Sequence, residues 1–261
     1  MKPTGNGRLD GRVAVVTGAA DGIGAGIARA YAAEGARVLV ADVSEDQGCA
    51  LAGEINGLFL RVDVTDRVQV EAMIATAVDE LGSVDVLVNN AWGAGDVGRV
   101  ENKTDTMLER GFAMGYYGPF WAMRAAFPHM KAAGWGRIIN MCSLNGVNAH
   151  MGTLEYNSAK EALRTLTRTA AREWAPTGVV VNAICPGAKS AAFHRMAAAH
   201  PEIAATAEAA NPMGRLGDPL ADIAPIAVFL ASEDCRYLTG NTLYADGGSH
   251  INGVAWAPDL P

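Results

Sequence analysis

Short runs of Val, Ile and Leu alternate along the chain with longer, alanine-rich stretches of helical character. The apolar runs predict strands at Arg12–Thr17, Arg37–Ala41, Leu58–Val62, Asp85–Asn89, Arg137–Cys142, Val179–Ile184 and Thr242–Ala245. Within each run the apolar residues are consecutive rather than alternating, as expected of strands covered on both faces. The stretches between them predict helices at Ile23–Glu34, Glu45–Glu54, Asp66–Leu81, Thr104–Lys131, Leu154–Ala175 and Pro219–Ala231. Asp66 is a capping-type residue at the start of one of these, and Gly82 closes it. Repeated strand–helix–strand order requires crossover connections, and hence a parallel sheet of about seven strands with helices on both faces. The expected fold is therefore doubly wound α/β.

No Pro/Ser-rich linker, internal repeat or low-complexity segment divides the chain, so one domain over residues 1–261 is expected. Residues 187–218 break the rhythm. They carry Pro201, Pro212, Gly214 and Gly217 around an Ala-rich helical run. A connection of this length in an α/β domain is commonly an active-site lid, the alternative being a surface excursion without function.

Composition narrows the class. With 50% apolar residues and four cysteines in 261 residues, neither a disordered chain nor a disulfide scaffold is expected. Thirty glycines, about 11% against a usual ~7%, point to tight turns and close backbone approaches. No apolar stretch approaches the ~18 residues needed to span a bilayer, and the start MKPTGNGRLDGR has no signal-type apolar core. The net charge of −7, with the acidic residues scattered, argues against nucleic-acid and anionic-membrane partners. Cys49, Cys142, Cys185 and Cys235 form no Cys-x-x-Cys pair, which fits reduced thiols and a cytoplasmic location. The five histidines include no HExxH and no i, i+4 pair, so no metal site is expected.

Directly after the first apolar run stands Thr17-Gly18-Ala19-Ala20-Asp21-Gly22-Ile23-Gly24, followed by an alanine-rich helix. Gly18 allows a sharp exit from the strand. Gly22 and Gly24 remove side chains where backbone approaches a pyrophosphate and where helix packs on sheet. The positive end of the following helix then faces the anion. Asp42 ends the second strand candidate, 18 residues past Gly24, near the ~20 expected of a carboxylate on an adenosine ribose. A carboxylate there accepts ribose hydroxyls and repels a 2′-phosphate, which favours NAD over NADP. Capping the next helix is the structural alternative for Asp42.

Tyr156 and Lys160 stand at i and i+4 of a predicted helix and share a face. A cation one turn away favours phenolate, and a shift of ~3 pKa units from about 10 needs only about 4 kcal/mol. Such a phenol can exchange a proton with an alcohol or carbonyl oxygen. Taken alone, this pair is more often a solvated helix face. Ser143, 13 residues upstream at the end of a strand candidate, lies where ligands bind at a sheet's carboxyl edge.

Together these residues make the chain resemble the short-chain dehydrogenase/reductase family, in its short single-domain branch, over residues 9–248. The shared motifs are TGAADGIG (17–24), Asp63-Val64, Asn89-Asn90-Ala91, Gly136–Gly146 with Ser143, YNSAK (156–160), Asn182–Gly187 and Asp246-Gly247-Gly248. The resemblance implies a Rossmann-like NAD(P)(H) oxidoreductase, usually tetrameric, with the Tyr156 helix in one interface. Tyr156 would be the general acid/base, and Ser143 would position the reacting oxygen. Lys160 would bind the nicotinamide ribose and lower the tyrosine pKa. Cofactor contacts would come from Gly18, Asp21, Gly22, Ile23, Gly24, Asp42, Asp63, Val64, Asn90, Ala91, Tyr156, Lys160, Pro186 and Gly187.

Three positions depart from the family pattern. Gly115 stands where an asparagine usually completes a proton relay, the open alternatives being a second water in its space or help from Tyr116, Tyr117 or Asn145. Trp92 replaces a glycine. Ala191 replaces a threonine, with Ser190 as a substitute beside it. The expected substrate is a secondary alcohol or ketone, bulky and apolar or cyclic, bordered by Trp92, Asn145, Met151, Leu154, Phe193 and Met196; His150 and Lys189 would read a polar group on it, the alternative being solvent-facing loop residues. A role in core or lid packing is the alternative for each apolar residue among these. Two further readings compete: a 3-oxoacyl-carrier-protein reductase-like enzyme, and a catalytically weak NAD-binding sensor or scaffold.

Overall fold

A computed structural model of the chain describes residues 7–251 apart from 94 and 96; for 191, 192, 195, 196 and 203 it describes the backbone only. The strands are Val13–Thr17 (β1), Arg37–Asp42 (β2), Leu58–Arg61 (β3), Val86–Asn89 (β4), Gly136–Met141 (β5), Val179–Pro186 (β6) and Thr242–Ala245 (β7). The α-helices are Gly22–Ala33 (α1), Glu45–Glu54 (α2), Arg67–Leu81 (α3), Asp105–Phe112 (α4), Gly118–Ala133 (α5) and Leu144–Val147 (α6). They continue with Leu154–Trp174 (α7), Ala191–Ala199 (α8), Pro201–Ala209 (α9) and Ala224–Ala231 (α10). All seven strands lie in one parallel sheet, in the order β3-β2-β1-β4-β5-β6-β7. Every expected strand is present, with ends shifted by two residues or fewer.

Burial on both faces explains the unbroken apolar runs. Ala14, Val16, Val38, Val40, Val86 and Val88 pack on one face with Ile27 and Tyr31 of α1 and Ala227 and Leu230 of α10. Val15, Leu39, Leu87, Ile138 and Val181 pack on the other with Met73 of α3, Met123 of α5 and Ala170 of α7. Successive residues thus enter opposite cores, so alternation has no polar face to record.

β1 lies between β2 and β4, so the two halves of the sheet wind away from it in opposite directions. The crevice at the carboxyl ends of β1 and β4 is the ligand-binding position of such sheets. Its floor is tied together by Thr17, whose hydroxyl accepts from the Asn90 and Ala91 N–H groups at 3.0 and 3.2 Å. The Asn90 amide in turn donates to the Thr17 and Gly18 carbonyls, both at 2.9 Å.

Two of the expected helices are corrected. The stretch Thr104–Lys131 is not one helix: a π-turn at Ala113–Tyr117 separates α4 from α5. A π-turn is a single-turn bulge inside an otherwise helical run, and residue propensities along the run do not mark it. The Pro219–Ala231 stretch likewise opens with a π-turn, Pro219–Ile223, before α10. Asp66 caps α3 from outside, accepting from the Val68 and Gln69 N–H groups, and Gly82 closes the helix in the left-handed region at φ 85°. The connection at 187–218 contains two helices, α8 and α9, and its base is closed by the Lys189 N–H to Gly217 carbonyl bond at 2.9 Å. No helix among the described residues is long and apolar enough to cross a membrane.

Candidate active site

The turn between β1 and α1 is built by close backbone approach. Gly18 has φ 62°, and a Cβ there would stand 2.6 Å from the Ala91 Cα. At Gly24 a Cβ would stand 2.2 Å from the Gly18 carbonyl oxygen and 2.6 Å from the Asn90 amide nitrogen. Asp21 caps α1 through the Gly22 N–H at 2.6 Å. The Ala25 N–H reaches the Asp21 carbonyl at 3.3 Å, and the N–H groups before it are those that any helix start leaves without an i−4 acceptor. Asp42 stands across this turn. One carboxylate oxygen accepts from the Ala20 N–H at 3.0 Å and the other from the Ser44 N–H at 2.9 Å. The cap of α2 is Ser44 rather than Asp42, so Asp42 fastens the glycine turn to the end of β2.

These residues form one end of a 540 Å³ cleft lined by Gly18, Asp21, Gly22, Ile23, Asp42 and Asn90. Tyr156, Lys160, Trp92, Asn145, Pro186 and Ser190 line it further along. Its size suits a small-molecule or cofactor site. A glycine turn at a helix start, a carboxylate at the end of β2 and a cleft running on to Tyr156 fit a dinucleotide cofactor.

β5 and α7 position the reactive groups. Ser143 follows β5, is 8% exposed, and accepts from the Asn145 N–H at 3.1 Å as the cap of α6. Its hydroxyl faces the Tyr156 phenol closely enough to favour the phenolate. Burial acts more strongly, and the phenol lies above its ordinary value. Lys160, 3% exposed one turn along α7, donates to the Met141 carbonyl at 2.7 Å, and burial pushes its ammonium below the ordinary value. The ammonium stands 5.7 Å from the centre of the Tyr156 ring. Burial is the largest influence on the phenol here, ahead of the lowering by Ser143. Cys142 also borders the cleft, but burial pushes its thiol up to about 12, which removes it as a thiolate nucleophile near neutral pH.

Other expected site residues are distributed unevenly. The Asp63 carboxylate holds the Thr65 N–H and hydroxyl at 2.9 and 2.7 Å. Val64 and Ala91 line a small adjacent cavity rather than the cleft. Gly187 is packed so tightly that a Cβ would stand 2.8 Å from the Asp246 Cα. His150 lies on the exposed turn before α7, where its carbonyl accepts from the Asn157 amide at 2.7 Å. Met151 is 88% exposed. Lys189 pairs with Glu208 at 2.6 Å, and the Phe193 N–H bonds the Ser190 hydroxyl. Among the expected substrate residues whose side chains are described, only Trp92 and Asn145 line the cleft itself. The side chains of Ala191 and Met196 lie outside those described.

Glu155 was not anticipated. It lines the cleft and forms a buried pair with Lys103 at 2.8 Å, anchoring the segment before α4 to the start of α7. Its only sequence signal is adjacency to Tyr156.

A family profile described as Enoyl-(Acyl carrier protein) reductase matches residues 18–250. The chain is 36% identical over 254 residues to a 12alpha-hydroxysteroid dehydrogenase of Clostridium sp., covering 93% of this chain and 98% of that protein. It is 37% identical over 246 residues to 2,5-dichloro-2,5-cyclohexadiene-1,4-diol dehydrogenase LinX of Sphingobium indicum, covering 92% and 97% respectively. A solved structure from Agrobacterium tumefaciens, described as a candidate gluconate dehydrogenase, superposes with a TM-score of 0.87 at 31% identity, covering 93% of this chain and 97% of that one. The motifs, the Rossmann-like sheet and these similarities together establish the chain as an oxidoreductase of the short-chain dehydrogenase/reductase family.

Proposed function

We propose that this chain is an NAD-dependent dehydrogenase of secondary alcohols, running in reverse as a ketone reductase, with a bulky apolar or cyclic substrate. The observation that carries the reading is one cleft lined by Tyr156 and Lys160 along its course and by Asp42 at its other end, with Ser143 set against the Tyr156 phenol. A bound nicotinamide dinucleotide supplies the hydride acceptor or donor. The chain does the rest. The Ser143 hydroxyl holds the reacting oxygen, and the Tyr156 phenol gives that oxygen a proton in reduction or, as phenolate, removes one in oxidation. Lys160, fixed on the Met141 carbonyl, keeps a positive charge near the developing phenolate.

Asp42 supports NAD because a ribose 2′-phosphate would meet a carboxylate already held in place by two backbone N–H groups. The same feature disfavours a carrier-protein reductase that uses NADPH. Support for a cyclic substrate comes from Trp92 in the cleft wall and from the ring-bearing substrates in the names of the two dehydrogenase relatives. Residues 187–218 serve as the lid, with Ala188 and Ser190 at the cleft edge. A homotetramer in the cytoplasm completes the reading, on family resemblance.

The test is cofactor reduction across a panel of cyclic and acyclic secondary alcohols, with NAD and NADP, for the wild type and Tyr156→Phe. The reading expects turnover with NAD and a cyclic alcohol, lost in the variant. Binding of NADH without turnover of any alcohol or ketone would instead favour the sensor reading.

A further inference from the structure

Trp92 is the largest side chain in the cleft wall, and its surroundings are specific. Its ring meets the Tyr156 ring edge-on with centroids 4.7 Å apart, and the Lys160 ammonium lies 5.5 Å from the indole centre. Trp92, Gly95 and Glu155 also line a second cavity of 290 Å³ that runs along Thr104, Met107, Arg110 and Met114. The indole is therefore part of the partition between the two spaces and touches both members of the proton-transfer pair.

What lies behind the indole is a glycine. Gly115 is buried in the π-turn between α4 and α5, and a Cβ there would stand 2.8 Å from Cζ3 of Trp92 and 2.9 Å from Cβ of Ala159. Real Cβ contacts are essentially never that short. Trp92 in this position and a side chain at residue 115 exclude one another. The loop carrying Trp92 is also fastened to the π-turn, because the Gly93 N–H and the Met114 sulfur lie in contact at 2.7 Å.

We propose that Trp92 is a positioning residue for Tyr156 and Lys160, and that Gly115 is its size-matched partner, present because the indole occupies the space of a side chain. This inference rests on the proposed function, in which Tyr156 exchanges the proton. Its physical content is a packed stack: Gly115 gives room to the indole, the indole edge fixes the phenol ring, and its π-face borders the ammonium. An ammonium near an indole face is attracted by the ring quadrupole, most strongly where water is excluded. Loss of such support moves a reacting group by fractions of an ångström, enough to slow a geometry-sensitive step considerably.

The test joins a melting cycle to kinetics on the full chain. Melting temperatures without cofactor are measured for the wild type, Gly115→Ala, Trp92→Ala and the double variant. Gly115→Ala is expected to lower the melting temperature by about 2 °C or more in the Trp92 background. It should lower it less in the Trp92→Ala background, where only the Ala159 contact remains. Equal losses in the two backgrounds would overturn the pairing.

In the kinetic arm, Trp92→Ala is expected to lower kcat roughly 10-fold or more with the cofactor KM unchanged, and Trp92→Phe to recover most of that loss. A raised substrate KM with kcat intact would overturn the positioning role and leave the indole as a mere wall. If the wild type turns over no alcohol or ketone, the functional reading fails while the melting cycle still decides the pairing.

Discussion

The Lys160 ammonium donates to the Met141 carbonyl at 2.7 Å, at the last residue of β5 and two residues before Ser143. A buried ammonium held on a neutral carbonyl is strongly desolvated, and burial pushes its pKa below the ordinary 10.5. A base lowered in this way penalises the folded state most at low pH, where both states are charged. The penalty fades as pH rises towards 10.5, where the unfolded chain also loses its proton. Lys160→Met is therefore expected to abolish most activity while leaving the melting temperature at neutral pH unchanged or higher. Melting curves at neutral and alkaline pH check this, and any gain should shrink as pH rises.

Tyr156 and Ser143 set the pH dependence of the reaction. Burial raises the phenol while the serine contact lowers it, with burial the larger effect. Alcohol oxidation needs the phenolate, so its kcat/KM should climb with pH into the alkaline range, and ketone reduction should fall over the same range. Ser143→Ala removes the lowering influence. Its oxidation profile should shift to higher pH, with a rate loss of roughly 10²-fold or more at neutral pH. An unshifted profile would separate Ser143 from the phenol.

Asp42 predicts cofactor choice. Wild-type protein should bind NADH more tightly than NADPH. Asp42→Ala removes the ribose acceptor and the repulsion together, so NADH should weaken by roughly 10-fold and the preference should narrow. The substitution also frees the Ala20 and Ser44 N–H groups, so calorimetric affinities should be read beside melting curves.

Gly24 tests the turn. A methyl group there would press on the Gly18 carbonyl and the Asn90 amide, and Gly24→Ala is expected to destabilise by about 1–3 kcal/mol. Because the displaced carbonyl belongs to the turn itself, NADH affinity should fall as well. Affinity retained at the wild-type level would show that the turn is not the cofactor's cradle.

The sequence revealed the sheet well because burial on both faces writes itself as consecutive apolar residues in the central strands. Gly18 and Gly24 were equally readable, since the close backbone approach at this turn leaves no room for a side chain. Side-chain direction was not readable. Met151 lies on an expected segment yet is exposed to solvent, and only the conformation of the loop decides that. Gly115 illustrates a second limit. In the sequence it is a missing side chain; in the structure it is space filled by Trp92, 23 residues earlier in the chain, and no local pattern links the two. The π-turn that carries Gly115 stayed hidden for the same reason.

The most direct measurement is the formation of NADH from NAD and a cyclic secondary alcohol, followed in parallel for the wild type and Tyr156→Phe, with NADH affinity measured for both. The account predicts sustained turnover by the wild type, a loss of about 10²–10⁴-fold in the variant, and similar NADH binding by the two proteins. Equal turnover by both would contradict it, since the proton would then be travelling without the phenol.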